Sequence, residues 1–253
     1  MALRILTFVC VLWAYCGQIE GNPSDLLSLT LSKTPAPLSL SYVKKESKGG
    51  LSKDKLSVKP PLTIKKQFIM IDAGHGGHDQ GAQSISKPRY QEKSLNLVTA
   101  QFIQSYLQQL GYKVLMTRQD DRFISLEQRA QMANQEKVDL FVSIHYNSAP
   151  SSEAEGVEVF FYQSKQNKGR TATSKKLAQF VLKNILTETQ AKSRKVKNGN
   201  FAVIRETEMP AILVEGGFMT NETELQRLKD PVYLKKIAWG IVKGIEEYCH
   251  KGS

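Results

Sequence analysis

The 253-residue chain has little cysteine, little histidine and no long apolar run. Its three cysteines are Cys10, Cys16 and Cys249. Two of them fall within the first sixteen residues, so the rest of the chain holds one thiol and no disulfide framework. Cys249 reads as structural. No segment reaches the roughly 20 apolar residues that a membrane-spanning helix needs. The longest, Ile5 to Cys16, follows a short basic start ending at Arg4 and suits the apolar region of an export signal. Cleavage after Cys16 or Gly21 is compatible with that reading. Retention as an anchor and lipid attachment at Cys16 are the alternatives, the second disfavoured by the bulky Tyr15. Internal repeats are absent, and so is a short zinc motif of the His-Glu-x-x-His kind.

What is present is an ordinary globular composition, 41% apolar and 23% charged, which leaves ample material for a core. The net charge of +11 is unevenly placed. Residues 22–65 carry eight lysines against three acids, so nearly half of the excess precedes residue 66. Basic charge attracts polyanions, and an exported chain meets anionic lipid or wall polymer rather than nucleic acid. Residues 22–65 are also rich in Ser, Pro and Leu and sustain no helical or strand period, as expected of a disordered tether. The chain is thus divided into an export signal at 1–21, a basic tether at 22–65 and a folded catalytic domain at 66–250.

From Lys66 onward strand and helix patterns alternate. Phe68–Ile71, Tyr112–Met116, Leu140–Ile144, Gly156–Tyr162, Phe201–Ile204 and Ala211–Val214 read as strands. Leu95, Val98, Phe102, Tyr106 and Leu110 mark one face of a helix that Gly111 ends. Ser125 and Gln128 form a capping box for a helix running toward Glu136. Further helices are expected over 172–187 and along Leu234, Ile237, Ala238, Ile241 and Ile245. This alternation predicts an α/β domain with a mostly parallel central sheet of about six strands and helices on both faces. In such sheets, sites form beyond the carboxyl ends of the strands.

Four residues stand at such positions. His75 follows the first strand inside a glycine turn, His145 closes the third, and Glu215 closes the last. Glu92 heads the inward stripe of the first helix. Two imidazoles and one carboxylate can hold a hydrolytic zinc ion, and a further carboxylate can act as base. The residues also admit plainer readings. Glu92 suits a helix N-terminus, Glu215 could pair with Arg205 or Arg129, and His78 competes with His75 from an exposed turn. His250 sits at the C-terminal end and reads as inert.

The ordered segments carrying these residues decide among the readings. They include Ile71 to Gly77, Glu92-Lys93, Met116-Thr117-Arg118, Ser125 to Arg129, Phe141 to Asn147, Gly156 to Val159 and Met209 to Phe218. Over about 66–248 the chain resembles the zinc-dependent N-acetylmuramoyl-L-alanine amidases, cell-wall enzymes that aid daughter-cell separation. The resemblance implies one zinc ion held by His75, Glu92 and His145, with Glu215 catalytic. It implies hydrolysis of the amide between the lactyl group of N-acetylmuramic acid and L-alanine. Peptidoglycan is then the substrate and the periplasm or cell envelope the place of action, with the chain acting as a monomer. Ala73 stands where the family often has proline, which loosens the turn. Some division amidases carry a helical insert that blocks the zinc until an activator protein binds. Here only Gln163 to Arg170 fill that place, which points to constitutive activity or control by location. A zinc carboxypeptidase or endopeptidase acting within the stem peptide, and a non-catalytic wall-binding module, are the competing functions.

Overall fold

The computed structural model describes residues 66–251. The expected export signal and tether lie outside the described residues. The elements are β1 (Phe68–Ala73), α1 (Glu92–Gln109), β2 (Lys113–Met116), α2 (Leu126–Glu136), β3 (Leu140–Asn147) and β4 (Val157–Phe161). They continue with α3 (Lys168–Thr189), β5 (Ser193–Asn198), α4 (Ala202–Arg205), β6 (Ala211–Phe218), α5 (Glu222–Leu228) and α6 (Pro231–Lys251). The strands form one six-stranded sheet in the order β2-β1-β3-β6-β4-β5. Every neighbouring pair is parallel except β4 with β6. The α/β expectation holds, with one antiparallel junction in an otherwise parallel sheet.

Side chains alternate between the two faces of a strand, and the core divides accordingly. Ile69, Ile71, Val142, Ile144, Ile212 and Val214 join a large cluster with Ile103, Val181 and Ile241 of α1, α3 and α6. Met70, Phe141 and Leu213 face the other way, against Ala133 of α2 and Val203 and Ile204 of α4. This second cover ends early. By the same alternation, Asp72, Ser143, His145 and Glu215 project from the second face beyond the last apolar pairs. The polar residues collect at that end of the sheet.

Local chemistry sets the helix ends. Ser125 Oγ accepts from the Gln128 amide at 3.2 Å while Gln128 Oε1 accepts from the Ser125 amide at 3.1 Å, the reciprocal capping box. The inward face of α1 is rotated from the expected stripe: Leu95, Thr99, Ile103 and Leu107 are buried. Val98, Phe102 and Tyr106 are half-buried beside α6, where Tyr106 meets Trp239 with ring centroids 5.4 Å apart. No described helix is long and apolar enough to cross a membrane.

Two assignments are corrected. Phe201–Ile204, expected as a strand, is the start of the single turn α4, in which Val203 and Ile204 are both buried. Two successive residues can share burial on a helical turn packed on a sheet, and an apolar run alone does not distinguish that from a strand. The strand at this side of the sheet is instead β5, whose Ser-Arg-Lys-Val-Lys-Asn sequence has no apolar run. It is an edge strand, where charged side chains guard against sheet-to-sheet association.

Candidate active site

The segment carrying His75 is held from beneath by two arginines. Beyond β1 the chain turns through His75, whose φ of 60° lies in the left-handed region that side chains disfavour. Arg129 donates to the carbonyls of Ala73 and His75, at 2.7 Å each. Arg118 donates to the carbonyls of Ala73 and Gly74, and also to that of Lys93, at 2.8 Å each. Arg118 therefore ties the turn bearing His75 to the first turn of the helix bearing Glu92. Arg129 is in turn paired with Asp72 at 2.8 Å, both residues being fully enclosed. Burial raises the affinity of Asp72 for a proton, but Arg129 and bonds from Ser143 and Thr117 outweigh it and hold the carboxyl below its usual range.

Glu92, the first residue of α1, occupies the centre. Its Oε1 accepts from His145 Nδ1 at 2.8 Å, Asn96 Nδ2 at 3.2 Å and the Tyr146 amide at 3.2 Å. Its Oε2 accepts from the Ala82 amide at 2.7 Å and faces His75 Nε2 at 3.1 Å. Burial opposes ionisation, yet the bonds to His145 and His75 prevail and hold the carboxyl far below its usual range. For His75 burial works against the charged form, and the contacts with Glu92 and Asp79 overcome it, so its pKa rises. The His75 and His145 rings meet edge to face, centroids 4.9 Å apart. One ligand atom from each of His75, Glu92 and His145 lies within 4.8 Å of the others.

Bare backbone makes room for these rings. A Cβ on Gly74 would sit 2.1 Å from the His145 ring, and one on Gly81 would sit 2.5 Å from both Glu92 Oε2 and the His75 ring. The outer nitrogen of His75, Nδ1, contacts Asp79 Oδ2 at 2.8 Å, and Asp79 Oδ1 accepts from the Gly81 amide at 3.1 Å. Asp79 escaped sequence reasoning; a carboxylate four residues beyond a histidine in a glycine-rich turn was the available signal. His78 is exposed and packs on Phe123, outside the cluster. His250 lies on α6, beside Glu246.

Glu215 on β6 sits directly opposite His145 on β3, and directly opposite Glu158 on β4. Its Oε2 is buried and has no hydrogen-bond partner among the described residues. Burial, then the negative charges of Glu92 and Glu158, push its pKa well above the usual carboxylate value. Neither expected ion-pair partner reaches it: Arg129 is committed to Asp72, and Arg205 to Glu206 and Asn200. Glu158, also missed from sequence, is buried and accepts from Asn147 Nδ2 at 2.7 Å and from Arg194 at 3.2 Å.

His75, Glu92, His145 and Glu215 line one cleft of about 350 Å³, together with the apolar side chains of Leu126 and Phe201. The connection from β4 to α3 occupies only residues 162–167. The model of one protein family, described as N-acetylmuramoyl-L-alanine amidase, matches residues 69–247, which includes every residue of this cleft. The chain belongs to that family.

Solved relatives agree. The amidase is similar to the N-acetylmuramoyl-L-alanine amidase of Clostridium difficile 630, at TM-score 0.69 and 36% identity, covering 74% of this chain and 99% of that one. It is also similar to the catalytic domain of CwlV from Bacillus (Paenibacillus) polymyxa, at TM-score 0.67 and 40% identity, covering 72% and 97%. Among curated proteins it is 35% identical over 195 residues to the probable cell wall amidase LytH of Staphylococcus aureus, covering 77% of this chain. The amidase spans 62% of the length of LytH.

Proposed function

We propose that this amidase hydrolyses the amide between the lactyl group of N-acetylmuramic acid and L-alanine in peptidoglycan, using a zinc ion held by His75, Glu92 and His145 and a proton shuttle at Glu215. The observation that carries this reading is the convergence of two imidazoles and one carboxylate within 4.8 Å, beside Glu215, whose buried Oε2 has no hydrogen-bond partner among the described residues. That donor set, two nitrogens and one oxygen, fits zinc in hydrolytic sites.

Zinc held by these residues would supply Lewis acidity toward water and the scissile carbonyl. The residues of the chain do the rest. Glu92 is held in place by the Ala82 and Tyr146 amides and the Asn96 side chain, all of which donate to its carboxylate. Asp79 fixes the His75 ring by holding Nδ1, so that Nε2 faces inward. Glu215 combines a raised proton affinity with an oxygen that no described residue bonds, which suits a group that takes a proton from water and delivers it to the departing alanine nitrogen. Leu126 and Phe201 border the cleft with apolar surface, which limits water around the reacting amide.

Action on the wall places the reaction outside the cytoplasm, with residues 1–21 serving export and residues 22–65 serving as tether. With so short a β4–α3 connection the purified chain acts without an activator, and its control lies in where it is delivered. Turnover of purified peptidoglycan should vanish after metal removal by a chelator and return with zinc. Full activity in the metal-stripped chain would overturn the assignment.

A further inference from the structure

A row of charge leads away from the candidate metal ligands across four neighbouring strands. His145 on β3 pairs with Glu215 on β6, and Glu215 pairs with Glu158 on β4, so all three project from one face of the sheet. The next strand, β5, supplies Arg194 and Lys197, and both close on Oε2 of Glu158. Glu158 is 5% exposed, whereas the side chains of Arg194 and Lys197 are 35% and 40% exposed. Two cations on one carboxylate leave this cluster with net positive charge.

Its geometry is fixed and its donors are not used up. Arg194 lies over the Phe218 ring at 4.7 Å, with Nε on Glu158 at 3.2 Å and Nη1 on the Glu155 carbonyl at 3.5 Å. Its Nη2 donates to no described residue, and the Lys197 ammonium bonds only Glu158 among them. Neutralising Glu158 would take one cation. A second, with both heads half-exposed and holding spare donors, forms a preorganised receptor for an anion.

The position fits the substrate. Neighbouring strands lie about 4.8 Å apart, which sets β5 about 10 Å from Glu215. An extended peptide advances about 3.5 Å per residue, so a group on the second residue beyond the scissile nitrogen comes within reach. Where the stem peptide carries at that residue a glutamate joined through its side chain and not amidated, its α-carboxylate is free. We infer that Arg194 and Lys197 form a carboxylate subsite that binds the second residue of the peptide side of the substrate. The inference rests on the amidase reading of the cleft.

The test compares two muramoyl-L-alanyl-D-glutamyl compounds whose side-chain carboxyl is capped as the methylamide, one with a free α-carboxylate and one with an α-amide, which differ by one charge and scarcely in shape. The zinc-supplemented full chain should favour the acid by about tenfold in kcat/KM, through KM, the scale of one charge-assisted hydrogen bond. Arg194→Gln with Lys197→Gln should bring that ratio to about one. If the two cations serve only to offset Glu158 beside Glu215, the double variant lowers kcat on both compounds alike and leaves the ratio intact, which overturns the subsite. Equal handling of the two compounds by the unaltered chain also overturns it. Calorimetric titration with the released dipeptides, acid and amide, reads the same preference without turnover. A binding preference for the acid dipeptide with neither muramoyl compound cut would keep the subsite and remove the amidase reading. Poly(glycerol phosphate) bound through Arg194 and Lys197, with no difference between the dipeptides, would assign the cluster to a wall polymer instead.

Discussion

Glu215 and His145 face each other as direct partners across the parallel pair β3 and β6. Their side chains therefore leave the sheet on the same face, about 4.8 Å apart at the backbone. Strand pairing fixes this spacing, and mobile loops contribute nothing to it. A proposed proton shuttle and a proposed metal ligand thus share one rigid support.

Glu215→Gln keeps the shape of the side chain and removes its basicity. Turnover should fall by about 10²–10⁴-fold while zinc content stays at one per chain. Steady-state kinetics with metal analysis of the same sample checks both. Near-normal kcat in the variant removes Glu215 from the shuttle role.

The same substitution has a signature in stability against pH. The folded-state pKa of Glu215 is raised, so the folded metal-free chain binds this proton more tightly than the unfolded chain does. The stability contributed is complete below the unfolded value of about 4.3 and is lost as pH rises toward the folded value. The metal-free Glu215→Gln chain should therefore gain on the unaltered chain as pH rises from about 5 to 8. Parallel denaturant titrations over that range measure the gap; a constant gap would contradict the burial argument.

Asp79 touches the outer nitrogen of His75 at 2.8 Å. Asp79→Asn should weaken zinc binding by about 10–100-fold, as loss of such supporting carboxylates does elsewhere. Competition with a chromophoric chelator gives the affinity. Unchanged affinity would mean that the turn alone orients the ring.

Arg129 balances Asp72 in a fully buried pair and also anchors two carbonyls of the turn bearing His75. Arg129→Met leaves Asp72 enclosed without its cation and should cost about 3–5 kcal/mol in chemical denaturation. A loss below about 1 kcal/mol would show that Asp72 finds other compensation.

Strands with two buried faces were the most legible part of the fold. β1, β3 and β6 are largely apolar runs, and the polar residues at their ends point to the candidate site. β5 was not legible, because an edge strand of Arg, Lys and Asn carries no hydrophobic period. Phe201 to Ile204 misled for the opposite reason, since its run of apolar residues is buried on one turn of helix. The convergence of His75, Glu92, His145 and Glu215 could be argued from strand ends. Asp79 and Glu158 could not, because a lone carboxylate gains its meaning only from neighbours distant in sequence. Arg118 and Arg129 stood within recognisable segments, but nothing in their spacing reveals that both grip the carbonyls around His75.

The central claim is which bond the cleft cuts, and mass analysis of the products from purified peptidoglycan tests it most directly. Free stem peptides beginning with L-alanine, with glycan strands bearing bare lactyl groups, are the predicted products. Shortened stems still attached to muramic acid would contradict the amidase account and make the site a peptidase.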